Sequence, residues 1–293
     1  MSACKPPTAA RSLLCGLLAI AAVIAPASAA AAASARTPTH AVSSNWAGYV
    51  ALPGAATRFS AVSATWTAPS VTCARGHASY SATWVGLGGY RESANALEQA
   101  GTNADCSSGG RAVYSSWYEL LPAAPVSLSL SIHPGDVVSA SVTLRARHVT
   151  LRVRDITSGQ RFSATLRAAA VDASTAEWIV EAPSECSSEN ACVPLPLSDF
   201  GTVAFSGASA SARGHTGAIA DPLWAATALE LRQSPLRAGP REGAVAGGHR
   251  ASAVTAAWPS APDAVSGAFS VAWQQQGVLA QEPTAPTLPG AGG

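Results

Sequence analysis

Many short stretches of this chain alternate apolar and polar residues, and this period of two constrains the fold more than any other feature of the sequence. Successive side chains of a β-strand point to opposite faces, so an alternating stretch can bury one face and expose the other. The pattern occurs in residues 59–68, 81–87, 113–120, 127–132, 137–144, 149–153 and 161–166. We therefore predict an all-β protein, built from antiparallel strands as a sandwich or a barrel.

Turn residues separate these runs and support the same prediction. Gly and Asp supply the backbone angles of turns in His133-Pro134-Gly135-Asp136 and again in residues 155–160. No convincing long helix precedes residue 222, and residues 224–231 fit either a strand or one short helix. Residues 253–258 and 268–273 are predicted to be closing strands.

The first 29 residues have the features of a secretion signal. Lys5 and Arg11 give a basic start, residues 13–24 an apolar segment, and Ala27-Ser28-Ala29 a small-residue cleavage site. The apolar run of about a dozen residues is too short for a hydrocarbon core of about 30 Å. We expect a secreted, extracellular protein without a membrane anchor.

Composition divides the rest of the chain into three parts. Residues 30–42 are rich in Ala, Ser and Thr and are expected to be a flexible lead or a short pro-segment. Residues 43–274 hold the β-sandwich domain, with a Gly/Arg/Ala-rich loop at 237–250. Residues 275–293 are expected to be a disordered Pro/Ala/Gly tail.

The charge of the exported chain excludes polyanion binding. Removal of Lys5 and Arg11 leaves 16 of the 18 basic residues against 17 acidic ones, a formal net charge of −1. Without a basic stripe, the release of counterions that drives nucleic-acid binding has no source. We expect no nucleic-acid partner.

Two motifs carry the chemical information. The first is Trp84-Val-Gly-Leu-Gly-Gly89 followed by Leu97-Glu98-Gln99-Ala100-Gly101, and the second is Ala176-Glu177-Trp178-Ile179-Val180-Glu181. Together they resemble the glutamic peptidase (eqolisin) family, with further matching segments across most of residues 43–206. The resemblance implies catalysis of peptide hydrolysis by a Gln/Glu dyad, with Gln99 and Glu181 in the two catalytic positions. It also implies an antiparallel two-sheet sandwich, lectin-like (concanavalin-like), whose concave sheet binds the substrate.

Strand alternation tests these two assignments differently. It places Glu177, Ile179 and Glu181 on one face, and Trp178 and Val180 in the core. If Gln99 faces the groove, Glu98 turns toward the core, where an unpaired carboxylate is costly unless a bulge or a strand end relieves it. The opposite assignment, with Glu98 active, conflicts with the family register, in which the glutamine precedes a small residue and a glycine.

Four further residues are candidates for substrate binding by resemblance: Trp46, Trp84, Trp117 and Glu119. Core packing is the alternative for each tryptophan, because aromatic side chains bury large areas wherever they fit. It is equally plausible for Trp84 and Trp117, and it is preferred for Trp66 and Trp178. Asn45, in the family's Ser-Asn-Trp pattern, is expected to support the site.

The chain departs from the better-known fungal pattern near the cleft. Gly88 and Ser115 stand where those enzymes have acids, and Leu120-Leu121 replace an aromatic pair. Fewer carboxylates near the cleft would raise the pKa of Glu181 less by repulsion between like charges. The departures leave subsite preference and an acidic pH optimum open.

The exported chain has four cysteines, and an even number in a secreted protein indicates disulfides rather than nucleophiles or a metal. Three pairings are possible. The short loop from Cys186 to Cys192 favours local pairing and resembles a disulfide loop of some family members, so that Cys73 would pair with Cys106. No Cys-x-x-Cys or His-x-x-x-His spacing indicates a metal site.

The sequence thus predicts a monomeric, acid-acting endopeptidase that needs no cofactor or metal and acts on polypeptides. An unperturbed glutamate, with a pKa of about 4.3, remains a base in mildly acidic solution. Two alternatives stay open. One is a catalytically silent carbohydrate- or peptide-binding sandwich that uses the tryptophans as stacking platforms, and the other is a structural module of the cell surface.

Overall fold

The alternating stretches form paired strands in a computed structural model that describes residues 37–54, 58–91, 94–187, 192–233 and 253–274. Every helix or strand assigned in these ranges is a β-strand. From the amino terminus they are β1 Thr39–Ser43, β2 Trp46–Pro53, β3 Phe59–Thr67, β4 Ala82–Gly88, β5 Leu97–Cys106, β6 Ala112–Leu120, β7 Val126–Ser127, β8 Val137–Arg145 and β9 His148–Asp155. They continue with β10 Arg161–Arg167, β11 Ala176–Glu181, β12 Ser184–Cys186, β13 Cys192–Pro194, β14 Thr202–Ala212, β15 His215–Ala218, β16 Trp224–Gln233, β17 Val254–Pro259 and β18 Phe269–Trp273.

One hydrogen-bonded path connects most of these strands, in the order β10-β9-β8-β3-β14-β18-β17-β16-β2-β11-β4-β5-β6-β7. The path folds back on itself, because side chains of its second half bond to its first half. Nε1 of Trp178 on β11 donates to the carbonyl oxygen of Ser63 on β3 at 2.9 Å, and Nε1 of Trp66 on β3 donates to Oγ1 of Thr102 on β5 at 3.1 Å. The predicted all-β antiparallel sandwich is therefore confirmed.

The core between the two layers is built by the predicted alternation. Burial in β8 and β9 switches at every residue, so Val138, Val142 and Leu151 are buried while their neighbours remain accessible. Trp66 and Trp178 are core residues, as predicted. A second, smaller apolar cluster lies on the other face of the β2-β11-β4-β5 layer, and its buried members are Val50, Ala82, Trp84, Leu97, Trp117, Ile179 and Leu229.

Some local predictions differ from the structure. The predicted strand at 127–132 is reduced to Val126–Ser127. Of the two alternatives for residues 224–231, a strand or a short helix, the strand is confirmed. The predicted flexible lead contains β1, which pairs parallel to β16 from Thr39 opposite Thr227 to Ser43 opposite Leu231. The predicted signal, the 237–250 loop and the 275–293 tail lie outside the described residues.

Both disulfides predicted by resemblance are present. Cys73 is bonded to Cys106 at the end of β5, and Cys186 is bonded to Cys192 across the β12–β13 hairpin. This hairpin begins three residues after Glu181 and so forms part of the chain that leaves the predicted site. The described residues contain no helix of the length and hydropathy needed to cross a membrane.

Candidate active site

Five adjacent strands bring the predicted site residues to one face. In the order β2, β11, β4, β5 and β6, residues directly opposite one another point to the same side of the layer. Three rows result on this face: Glu177, Gly86, Gln99 and Glu119; Ile179, Trp84, Gly101 and Trp117; and Trp46, Glu181 and Ala82. All six residues predicted to catalyse or bind substrate belong to these rows.

Glu181, the last residue of β11, is held by two N–H donors. Nδ2 of Asn45 donates to its Oε1 at 3.0 Å, and Nε1 of Trp84 donates to its Oε2 at 2.8 Å. A carboxylate oxygen has two lone pairs, so each oxygen can still accept a hydrogen from a water or a substrate. The carboxylate is therefore fixed in position and remains able to act on a further group.

A tight turn places Asn45 beside Glu181. Oγ of Ser43 accepts hydrogen bonds from the backbone N–H groups of Asn45 and Trp46, at 3.3 and 3.1 Å. The backbone carbonyl of Asn45 accepts from the N–H of Ala182 at 2.8 Å. The supporting role predicted for Asn45 thus has a physical basis, because both ends of the turn are tied to strands of the site.

Trp46 and Trp84 form an aromatic wall beside the carboxylate. Their ring centroids are 5.0 Å apart at an interplanar angle of 79°, the edge-to-face geometry that aromatic pairs favour. Trp84 is fully buried, so it forms the floor, whereas Trp46 is half-buried and can contact a ligand.

Burial raises the pKa of Glu181 to about 7. The two indole groups and Asn45 favour the charged form and lower the pKa, while the negative charge of Glu119 raises it. Loss of hydration outweighs the donors, as is usual for a carboxylate in an apolar pocket. The unperturbed pKa assumed from the sequence is therefore wrong for this residue, because the tryptophan wall removes water from it.

Gln99 is 5% exposed and is held from one side only. Its Nε2 donates to Oε2 of Glu119, its cross-strand partner on β6, at 2.6 Å. Its neighbour on the other side is Gly86, which has no side chain to offer. The amide Oε1 of Gln99 makes no hydrogen bond within the described part of the chain.

Trp117 is 8% exposed, and its Nε1 donates to Oδ1 of Asn103 at 2.7 Å. Sequence analysis missed Asn103. The signal was available, because Asn103 lies four residues after Gln99 on the same strand and alternation puts both on one face. Asn103 therefore joins the site as the residue that fixes the indole of Trp117.

The two acids beside the proposed dyad are buried away from solvent. Glu98 is 1% exposed on the core side of β5, where its Oε1 accepts from the backbone N–H of Asp172 at 3.3 Å, and burial raises its pKa to about 8. No register shift occurs there, so of the two expected forms of relief the bulge is absent and the strand end is present. Glu98 is the second residue of its strand and is uncharged in acid. Its position on the face opposite Gln99 argues against the alternative that Glu98 is the active residue.

Glu177 shares the face of Glu181 but does not reach solvent or line an open groove. It is 0% exposed, both of its carboxyl oxygens lack a hydrogen bond within the described residues, and burial raises its pKa well above the ordinary value. Glu177 therefore lies under the site as a fully buried acid, and burial favours its neutral form. In the described ranges, no three His, Cys, Asp or Glu side chains are grouped so that they could hold a metal ion.

Comparison with known proteins finds sequence and fold similarity to peptidases. The sequence model of the Peptidase A4 family matches residues 44–235. The fold resembles that of scytalido-glutamic peptidase, solved with a peptide-based transition-state analogue, at a TM-score of 0.61 and 22% identity over 79% of this chain and 98% of that one. No curated protein sequence matches significantly.

Two other solved structures share the fold. One is SCP-B, a member of the eqolisin family in a complex with the tripeptide Ala-Ile-His, with a TM-score of 0.58 and 22% identity over 79% of this chain and 98% of that one. The other is aspergilloglutamic peptidase from Aspergillus niger, with a TM-score of 0.50 and 23% identity over 67% of this chain and 99% of that one.

Proposed function

The chain belongs to the Peptidase A4 family of glutamic peptidases, and on that premise we propose that Gln99 and Glu181 hydrolyse peptide bonds of polypeptides with an activated water. The observation that carries the proposal is the environment of Glu181. Two N–H donors hold its carboxylate, and burial raises its pKa to about 7, the value suited to a general base near neutral pH.

The first chemical step is attack by water. Ionised Glu181 removes a proton from the water while the water oxygen bonds to the carbonyl carbon of the substrate. Negative charge then develops on the carbonyl oxygen. One N–H of Gln99 is bonded to Glu119, and the second N–H of the same amide donates to this oxyanion. A donor of this kind typically lowers the barrier by roughly 3–4 kcal/mol.

The second step breaks the C–N bond. Glu181, now protonated, returns its proton to the departing amine nitrogen, the oxyanion re-forms a carbonyl group, and the products are a carboxylic acid and an amine. The carboxyl group of Glu181 is thereby restored to its ionised form. No covalent intermediate is needed, because water is the only nucleophile.

Two opposing effects set the proposed pH range. The ionised fraction of Glu181 increases with pH and reaches one half at about pH 7, whereas the buried acids Glu98 and Glu177, whose pKa values burial raises, favour the folded protein at lower pH. We therefore place the optimum on the mildly acidic to neutral side, above that of an unperturbed glutamate.

A silent carbohydrate-binding sandwich has less support. Stacking on a sugar requires an open aromatic face, and Trp84 is fully buried while Trp117 is 8% exposed. Hydrogen bonds of both indole N–H groups are already directed to Glu181 and Asn103. Both tryptophans are therefore structural parts of the site and present no open face to a sugar.

The test is digestion of denatured casein between pH 2 and pH 8. We expect Glu181→Gln and Gln99→Ala to fold and to show no turnover. Glu177→Gln is the matched control, because it makes the same chemical change on the same strand and face at a residue without contact to the water. Wild-type digestion by Glu181→Gln would exclude the dyad.

Export is a separate part of the proposal and rests on residues 1–29 of the sequence alone. A secreting host should release a protein whose amino terminus, measured by mass spectrometry, is residue 30 or lies beyond it. Retention in the cytoplasm with an intact amino terminus would contradict export and leave the dyad unaffected.

A further inference from the structure

Glu119 is partly exposed and hydrogen-bonds a proposed catalytic group. Sequence resemblance assigned it to substrate binding, yet its Oε2 accepts the hydrogen bond from Nε2 of Gln99 at 2.6 Å. A short distance of this kind is typical of a hydrogen bond to a charged acceptor. The two residues are directly opposite one another on β5 and β6.

Among the described residues, no other side chain hydrogen-bonds the Gln99 amide. On the β4 side of Gln99 lies Gly86, and an added Cβ there would come within 3.3 Å of Cβ of Gln99 and 2.9 Å of Cζ3 of Trp84. The close packing explains why that position has no hydrogen-bonding group. The hydrogen bond to Glu119 is the only one formed by the Gln99 side chain within the described residues.

A carboxylate partner determines the orientation of the Gln99 amide. An ionised carboxylate only accepts hydrogen bonds, so it binds the nitrogen end of the amide and rejects the oxygen end. A neutral amide or a protonated acid both donates and accepts, and would hold the Gln99 amide in either orientation. Only one orientation directs the second N–H to the oxyanion.

We propose that Glu119 is a positioning residue, whose carboxylate orients the amide of Gln99 so that its free N–H meets the developing oxyanion. The inference rests on the proposed Gln99/Glu181 function and identifies the residue that orients Gln99. Glu119 also affects Glu181, because its negative charge raises the pKa of Glu181. Burial raises the pKa of Glu119 itself, and the hydrogen bond from Gln99 lowers it.

The test compares Glu119→Gln with Glu119→Asp, with kcat and KM measured against pH on a peptide substrate. Glu119→Gln keeps the size of the side chain but removes the charge and the preference for nitrogen. We expect kcat to fall about 10- to 100-fold with KM within about threefold of wild type, since an amide donor to the oxyanion is lost in part. Glu119→Asp keeps the charge and is expected to recover at least part of kcat.

The pH profile supplies a readout that a purely structural role would not change. Removal of the negative charge should move the acid limb of kcat/KM to lower pH in Glu119→Gln, because the pKa of Glu181 falls, and should leave it nearly in place in Glu119→Asp. Near-UV circular dichroism and melting curves establish that each variant is folded. If Glu119→Gln does not fold, Glu119→Asp and Glu119→Ala provide the same comparison.

The outcomes separate this inference from the proposed function. An increase in KM at wild-type kcat would make Glu119 a substrate contact and overturn the positioning role. An unshifted acid limb with wild-type kcat would overturn it as well. Activity retained in Glu181→Gln or Gln99→Ala would instead remove the dyad, whatever the behaviour of position 119.

Discussion

Nε1 of Trp84 lies 2.8 Å from Oε2 of Glu181, although the two residues are 97 positions apart in the chain. The register of β4 and β11 places Trp84 opposite Ile179, so the indole reaches along the strand to the carboxylate. The tryptophan of the first motif and the last acid of the second therefore act as one unit.

Trp84→Phe should make Glu181 a less available base. Loss of the donor removes a contact that favours the ionised carboxylate, so the pKa of Glu181 rises further above about 7. We expect the acid limb of kcat/KM to move to higher pH, measured from initial rates between pH 4 and pH 8. Trp178→Phe is the control, because it removes the equivalent N–H from a buried core tryptophan; an equal shift in both variants would contradict the assignment.

Gly86→Ala should damage both stability and turnover. The new methyl group would meet the ring of Trp84 at 2.9 Å and Cδ1 of Leu97 at 3.1 Å, in a fully buried position. Overpacking of this kind costs roughly 1–3 kcal/mol and would displace the indole that holds Glu181. Urea unfolding and casein digestion measure the two effects. Gly54→Ala, where an added Cβ meets nothing within 4 Å, should change neither.

Glu98→Gln should remove part of the pH dependence of stability. The pKa of Glu98 is about 8 in the folded protein against an ordinary value of 4.5, because burial and the charge of Asp172 outweigh the backbone N–H of Asp172 and the nearby Arg58. The folded state therefore binds a proton that the unfolded state releases between about pH 4.5 and pH 8. Wild-type stability should fall across this window, by roughly 4–5 kcal/mol from this residue.

The neutral amide of Glu98→Gln cannot ionise, so its melting temperature should fall less steeply than that of the wild type across this window. The remaining fall is due to Glu177, Glu181 and Asp105, whose pKa values burial also raises. Glu185→Gln, at an exposed acid, is the matched control and should follow the wild type. Parallel pH curves for wild type and Glu98→Gln would show that Glu98 does not carry this dependence.

Removal of the disulfides should destabilise the chain unequally. The Cys73–Cys106 bond spans 33 residues and the Cys186–Cys192 bond spans 6. Chain entropy gives losses of about 3.7 and about 2.2 kcal/mol respectively, because a longer loop restricts the unfolded chain more. Double Cys→Ser variants and urea unfolding under oxidising conditions test the order; a larger loss for the short loop would assign its effect to native contacts instead.

Local periodicity predicted six strands closely because alternation is a property of neighbouring residues. Strands β3, β4, β6, β8, β9 and β10 begin and end within one or two residues of the predicted runs. The register that aligns Glu177 with Gln99 and Glu119 was not predictable in this way. It depends on which strands become neighbours, and that is decided by packing across the whole chain.

The site was likewise predictable from the sequence only in its local features. Its residue types and common face came from motifs and alternation, whereas the bond from Gln99 to Glu119 and the neutral state of Glu98 did not. Both depend on burial, which removes water from groups that would be solvated on an isolated strand. Alternation alone puts Asn103 on the face of Gln99, but its hydrogen bond with Trp117 depends on the pairing of β5 with β6.

The parallel contact of β1 with β16 has a consequence for the timing of synthesis. The strand that leads into Asn45 is fastened to residues 227–231, and Oγ1 of Thr39 bonds to Oγ1 of Thr227 at 2.9 Å. A growing polypeptide that has not yet emerged from the ribosome past residue 231 lacks that support. The strand pair that supports Asn45 can therefore form only after residue 231 has left the ribosome, when most of the chain has been synthesised.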